Sequence, residues 1–163
     1  MLSAQFIPGG NPVEFVTTGP TKLALPTVGA LPGVTQNNIA ASTLTTADSG
    51  KTIFLKLAAG FATTLPLPEA GLSFEFIVGT APSSGAYTIV TSGSANIIKG
   101  QVYTSDFSGT TDSDIETSGG DTITLVTSKA VAGDSVELRC DGTNWFMRGF
   151  CSVFDAITIT TAS

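Results

Sequence analysis

The chain has 163 residues, a net charge of −6 and 12% charged residues, against about 25% in ordinary soluble domains. Its seven basic residues are spread along the sequence and it has no histidine, which argues against nucleic acid as a partner, against the usual serine or cysteine triad and against most zinc chemistry. The length suits one domain with a sizeable core, and threonine with serine make up about a quarter of the chain, a balance suited to strands and turns.

Residues 1–42 read differently from the rest. Five of the eight prolines (Pro8, Pro12, Pro20, Pro26, Pro32) fall there, which forbids helices and interior strands and leaves extended backbone. A disordered tail is one reading. Against it, the segment has only Glu14 and Lys22 as charges and carries Phe6, Ile7, Phe15, Val16, Leu23, Leu25 and Leu31, whereas disordered segments are typically charged and poor in such residues. An extended, apolar, nearly uncharged arm is expected to be ordered by lying across another surface. The opening "MLSAQFIPGG" has no basic stretch leading into an apolar one, and no run approaches the ~18 apolar residues of a membrane span. Synthesis in the cytoplasm and no membrane partner are the expectations.

From residue 43 onward, short runs rich in β-branched and aromatic residues recur between turn residues: "KTIFLKL" (51–57), "LSFEFIVG" (72–79), "AYTIVTS" (86–92), "ANIIKG" (95–100), "DTITLVTS" (121–128) and "AITITT" (156–161). No stretch has helical periodicity. In "DTITLVTS", Ile123 and Leu125 face one way and Thr122, Thr124 and Val126 the other. The outer faces are therefore threonine and valine instead of charge, and such faces suit a packed oligomer or a supporting lattice. The pattern predicts an all-β chain: an antiparallel β-sandwich or open barrel-like domain over 43–163, preceded by the extended Pro-rich arm of 1–42.

Two stretches invite a chemical reading. "DSGKT" (48–52) resembles the end of a phosphate-binding loop, but Thr45 stands where that loop needs glycine and a strand follows where it needs a helix. A tight turn through Asp48 and Gly50 is the better account. "FSGTTDSDIETSGGDT" (107–122) gathers Asp112, Asp114, Glu116 and Asp121. A solvated loop between strands is the main expectation and a calcium-stabilised loop the alternative, although Thr117 and Ile123 break the EF-hand pattern. No metal or cofactor is assigned.

"VELRCDGTNWFMRGFC" (136–151) reads as a hairpin hinged at Asp141-Gly142-Thr143-Asn144. That register sets Cys140 opposite Trp145, Glu137 opposite Arg148 and Arg139 opposite Phe146. Cys151 then lies six positions from Cys140, roughly 20 Å away at strand rise, so the two cannot form a disulfide within the hairpin. Val136, Leu138, Cys140, Trp145 and Met147 share one face, which makes Trp145 a core anchor; a sugar-stacking platform is the alternative.

Three stretches, "LTTADSGKTIFL" (44–55), "TTLPLPEAGLSFEFIVG" (63–79) and "AGDSVELRCDGTNWFMRGF" (132–150), in this order and spacing resemble a β-rich domain of tailed-bacteriophage structural proteins, including capsid decoration (cement) proteins and head- or tail-fibre segments. The resemblance covers about 43–153 and leaves the arm outside. It implies a virion protein on the capsid exterior with no enzymatic activity, one that binds the major capsid protein and stabilises contacts between capsid subunits, and that associates with itself as a homotrimer. Phe6, Ile7, Phe15, Val16, Leu23, Leu25 and Leu31 are the candidate capsid contacts. A fibre or receptor/glycan-binding virion protein is the rival, against which stand the lack of heptads and of an aromatic cluster in any loop.

Overall fold

The computed structural model describes residues 35–106 and 115–161, with the side chains of 115–117 left aside. All seven arm residues expected to contact a capsid, together with Asp112 and Asp114, lie outside the described residues. Twelve strands are present among the described residues: β1 (Gln36–Asn38), β2 (Ser42–Thr43), β3 (Thr52–Leu55), β4 (Phe61–Thr64), β5 (Ser73–Val78), β6 (Tyr87–Val90), β7 (Ile98–Thr104), β8 (Ile115–Gly120), β9 (Thr122–Leu125), β10 (Ser135–Cys140), β11 (Trp145–Cys151) and β12 (Ile157–Thr160). They form a seven-stranded sheet, β1-β3-β5-β10-β11-β7-β8, and a five-stranded sheet, β12-β9-β6-β4-β2. The all-β sandwich is thus as the sequence predicts, but both sheets are mixed where antiparallel pairing was the expectation.

Four of the five parallel pairings among the described residues, all but that of β7 with β11, have a simple origin. From β1 to β6 the chain alternates strictly between the sheets, and each strand pairs in parallel with the one two elements earlier. Parallel neighbours need a crossover connection, and here the crossover is a strand of the opposite sheet. The result is a two-faced coil, onto which β9 and β10 add antiparallel to β6 and β5. β1 and the first residue of β2 fall within the 1–42 segment that the sequence reading assigned to the arm, so the paired strands begin upstream of residue 43.

Alternation then decides what is inside. β11 reads buried at Trp145, Met147, Gly149 and Cys151 and exposed at Phe146, Arg148 and Phe150, the period-2 signature of one covered and one open face. Trp145, Tyr87, Phe74, Phe76, Ile53, Leu55, Leu65, Ile89, Ile98, Ile123, Leu125 and Leu138 are fully buried. Trp145 packs on Phe74 with ring centroids 5.8 Å apart, and its indole nitrogen has no hydrogen-bond partner among the described residues. It is a packing anchor, and the sugar platform at this position is excluded by its burial. Tyr87 meets Phe61 edge-on at 5.0 Å, and its hydroxyl accepts from the Leu57 amide (2.8 Å) and donates to the Thr80 carbonyl (2.9 Å). Burial pushes the Tyr87 phenol above its ordinary value.

The hairpin register is as expected: Glu137 faces Arg148, Arg139 faces Phe146 and Cys140 faces Trp145. Asp141 accepts from the amides of Thr143 (2.8 Å) and Asn144 (2.7 Å), which holds its carboxyl below the ordinary carboxylate value, while Gly142 takes the left-handed φ of +99° the turn requires. Cys140 and Cys151 are free and buried; burial raises the Cys151 thiol above its usual value. "DSGKT" starts at the last residue of a single 3-10 turn, Thr46–Asp48, and runs through Gly50 at φ +84° into β3, and it offers no helix to receive a phosphate.

Two expectations need correction. The 107–122 segment was expected to be a solvated loop, but residues 115–120 form β8, paired with β7 across a register shift between Ile98 and Gly100. The run "IETSGG" is so poor in apolar residues that period-2 reasoning cannot find it; a neighbouring strand supplies the pairing. β4 ("FATT") was missed as well, being four residues long with only Thr63 fully covered.

Candidate functional site: two open sheet faces

Each sheet covers the core with one side and presents the other outward, and the two outward faces are chemically unlike. On the five-stranded sheet the register lines up Ala62, Thr88, Thr124 and Thr158 in one row. Thr43, Thr64, Val90, Thr122 and Thr160 make the next. These residues alternate with the buried Thr63, Ile89, Ile123 and Ile159. No charged side chain stands in this grid, so no desolvation of an ion opposes its burial against another surface.

The seven-stranded sheet presents three rows. The central row is Thr52, Glu75, Glu137, Arg148 and Gln101. On one side run Phe54, Ile77, Ser135, Phe150 and Tyr103, and on the other Ser73, Arg139, Phe146 and Lys99. Tyr103 (49% exposed), Phe146 (48%) and Phe150 (53%) are unusually open for aromatic residues in strands. Tyr103 and Phe150 stack with centroids 5.5 Å apart and rings 20° from parallel, and the Tyr103 hydroxyl donates to Gln101 Oε1 at 2.7 Å. An open trough of about 780 Å³ runs between Lys99, Gln101, Tyr103, Arg139, Phe146 and Phe150.

The basic residues, spread out along the sequence, are not spread out in space. Five of the six described ones, Lys51, Lys56, Lys99, Arg139 and Arg148, sit on this face or at its rim. Strand crossing gathers them from four separate stretches of chain. Three carboxylates share the face: Asp48, Glu75 and Glu137. Lys51 bonds Asp48 Oδ1 at 2.5 Å and Gln36 Oε1 at 3.2 Å. Partial burial pushes the Asp48 carboxyl up, but hydrogen bonds from Lys51 and Thr45 outweigh it and hold the group below its ordinary value. Lys56 Nζ lies 5.6 Å from the Phe54 ring centroid, within cation–π range.

Glu137 and Arg148 are register partners, and the sequence reading expects them to pair. The carboxylate instead takes Arg139 Nε and Nη2 on one oxygen at 2.9 and 2.6 Å, because Arg139 projects from the same strand on the same side and needs no cross-strand reach. Arg148 and Lys99 are left without an ion pair among the described residues.

Below Phe150, Asp134 is buried and fully engaged: Oδ1 accepts from the Ser152 amide and hydroxyl, both at 2.9 Å, and Oδ2 from the Val131 amide at 2.9 Å. It ties the entry of β10 to the exit of β11. No group of three or more metal-ligating side chains is found among the described residues. The aromatic signal lies in a strand: the i, i+2, i+4 set Phe146, Arg148 and Phe150, opposite the buried face of the hairpin.

No family model matches the chain, and neither a curated protein nor a solved structure matches it.

Proposed function

We propose that the protein is a non-enzymatic structural component of a bacteriophage particle, a capsid decoration (cement) protein that associates with itself and stabilises contacts between subunits of the major capsid protein. The observation that carries this reading is the uncharged threonine–valine–alanine face of the five-stranded sheet. A face of two register rows without one charge is a surface made to be covered, and a lattice or a second copy would cover it. The proline-rich arm adds the second attachment: Phe6, Ile7, Phe15, Val16, Leu23, Leu25 and Leu31 supply apolar area, and several arms acting together multiply a modest affinity.

Co-sedimentation with capsids assembled from the cognate major capsid protein tests the proposal. The intact chain is expected to pellet with them and to run as a trimer in solution. Removing residues 1–34 keeps every described strand and is expected to abolish attachment; an intact chain that stays in the supernatant overturns the reading. A fibre or receptor-binding role is the second reading, favoured by the aromatic residues on the open face of the seven-stranded sheet.

A further inference from the structure

We infer that the outward face of the seven-stranded sheet binds an acidic, carboxylated polysaccharide in the trough between Phe146 and Phe150. Neither the capsid reading nor the threonine face enters this inference.

Four observations carry it. First, the aromatic platforms are correctly separated for an extended ligand: Phe146 and Phe150 stand four residues apart on one side of one strand, roughly 13 Å at strand rise, a span covered by a short run of sugar rings. The stacked Tyr103–Phe150 pair widens one platform, and the apolar C–H faces of pyranoses pack on such rings. Second, the row between the platforms consists of hydrogen-bonding side chains, Glu137, Arg148 and Gln101, which suit the hydroxyls at a sugar's rim. Third, the charge is complementary. A chain of net charge −6 lines this trough with Lys99, Arg139 and Arg148, and Arg148 and Lys99 keep no ion pair among the described residues. An arginine fork takes a carboxylate through two parallel N–H groups, and Arg148 projects between the two aromatic platforms. Fourth, the trough has room for several sugar rings, at about 780 Å³, and is lined by residues of β7, β10 and β11 side by side.

Single-stranded nucleic acid also uses aromatic platforms and cations. Two features disfavour it: Glu75 and Glu137 stand in the central row, where a phosphodiester backbone has no hydrogen to donate to them, and Glu137 already occupies the Arg139 fork, which leaves few cations for a backbone with one phosphate per nucleotide. The hydroxyls of a sugar do donate to such carboxylates.

The test uses the full chain and three probes: polygalacturonate oligosaccharides, neutral dextran oligosaccharides and oligothymidylate, titrated by calorimetry with amide NMR shifts mapped on the protein. Polygalacturonate is expected to bind, to shift amides of β7, β10 and β11, and to weaken with added salt. Phe150→Ala and Arg148→Gln, both at exposed positions, are each expected to lower affinity at least tenfold, with Arg148→Lys intermediate. Lys129→Gln, at the described basic residue that lies off this face, leaves the affinity unchanged. Failure of polygalacturonate to bind, unchanged affinity in both trough variants, equal binding of dextran, or tighter binding of oligothymidylate overturns the inference.

Discussion

The two outward faces of the sandwich obey the same alternation and differ in everything else. One is a flat grid of threonine, valine and alanine with no charge; the other carries open aromatic rings among five basic residues and three carboxylates. Since both cover one core, the fold does not demand either composition. Each face therefore reports what it meets: the first resembles the dry centre of an interface, the second a solvated surface with a few specific contacts.

The comparison breaks most severely at what the faces share. Trp145→Ala removes the largest side chain between the sheets and is expected to cost about 3–5 kcal/mol, read by urea denaturation; a loss below 1 kcal/mol would show that the sheets are held together elsewhere. Asp134→Ala comes next. It frees the Ser152 and Val131 amides under the aromatic face, at an expected cost of about 2 kcal/mol, and it should loosen amide exchange around Phe150 before the threonine face responds.

Placing charge on the threonine grid separates the faces by function. Thr88→Lys with Thr124→Glu is expected to leave the midpoint of unfolding within a few tenths of a molar of the parent and to abolish self-association by light scattering. Phe150→Ala should likewise change stability by less than about 0.5 kcal/mol, because the ring is half in water, but leave self-association intact.

The smallest effect is on pH. Asp48 has its folded pKa below the unfolded value of 3.8, so its contribution is present above that value and is lost as pH falls through the folded pKa. Asp48→Asn is expected to flatten the acid limb of the stability curve below pH 4, and equal acid slopes would remove the Lys51 and Thr45 bonds from the account.

How much of this is legible in the sequence follows from the physics of strands. β-branched alternation marked β3, β5, β6, β9 and β12, and the Asp-Gly turn fixed the hairpin register to the residue. Pairing partners were another matter. Whether a strand returns beside its predecessor or crosses to the opposite sheet depends on connections of similar length and composition, so the coil of β1 to β6 left no local trace. β8 is specified by the β7 edge and not by its own residues. The seven basic residues seemed unrelated because the sequence separates what the seven-stranded sheet sets side by side.

The coil has a further consequence. Its strands shorten toward the outermost turn: β5 has six residues, β3 four and β1 three, and in the other sheet β6 and β4 have four against two in β2. Its last rung carries Gln36, Asn37 and Asn38, with the Gln36 amide spent on Asn38 Oδ1 at 2.7 Å. Short polar edges make poor templates for further strands. Such a taper discourages end-to-end stacking into fibrils, so that crowding many copies together favours contact through their faces.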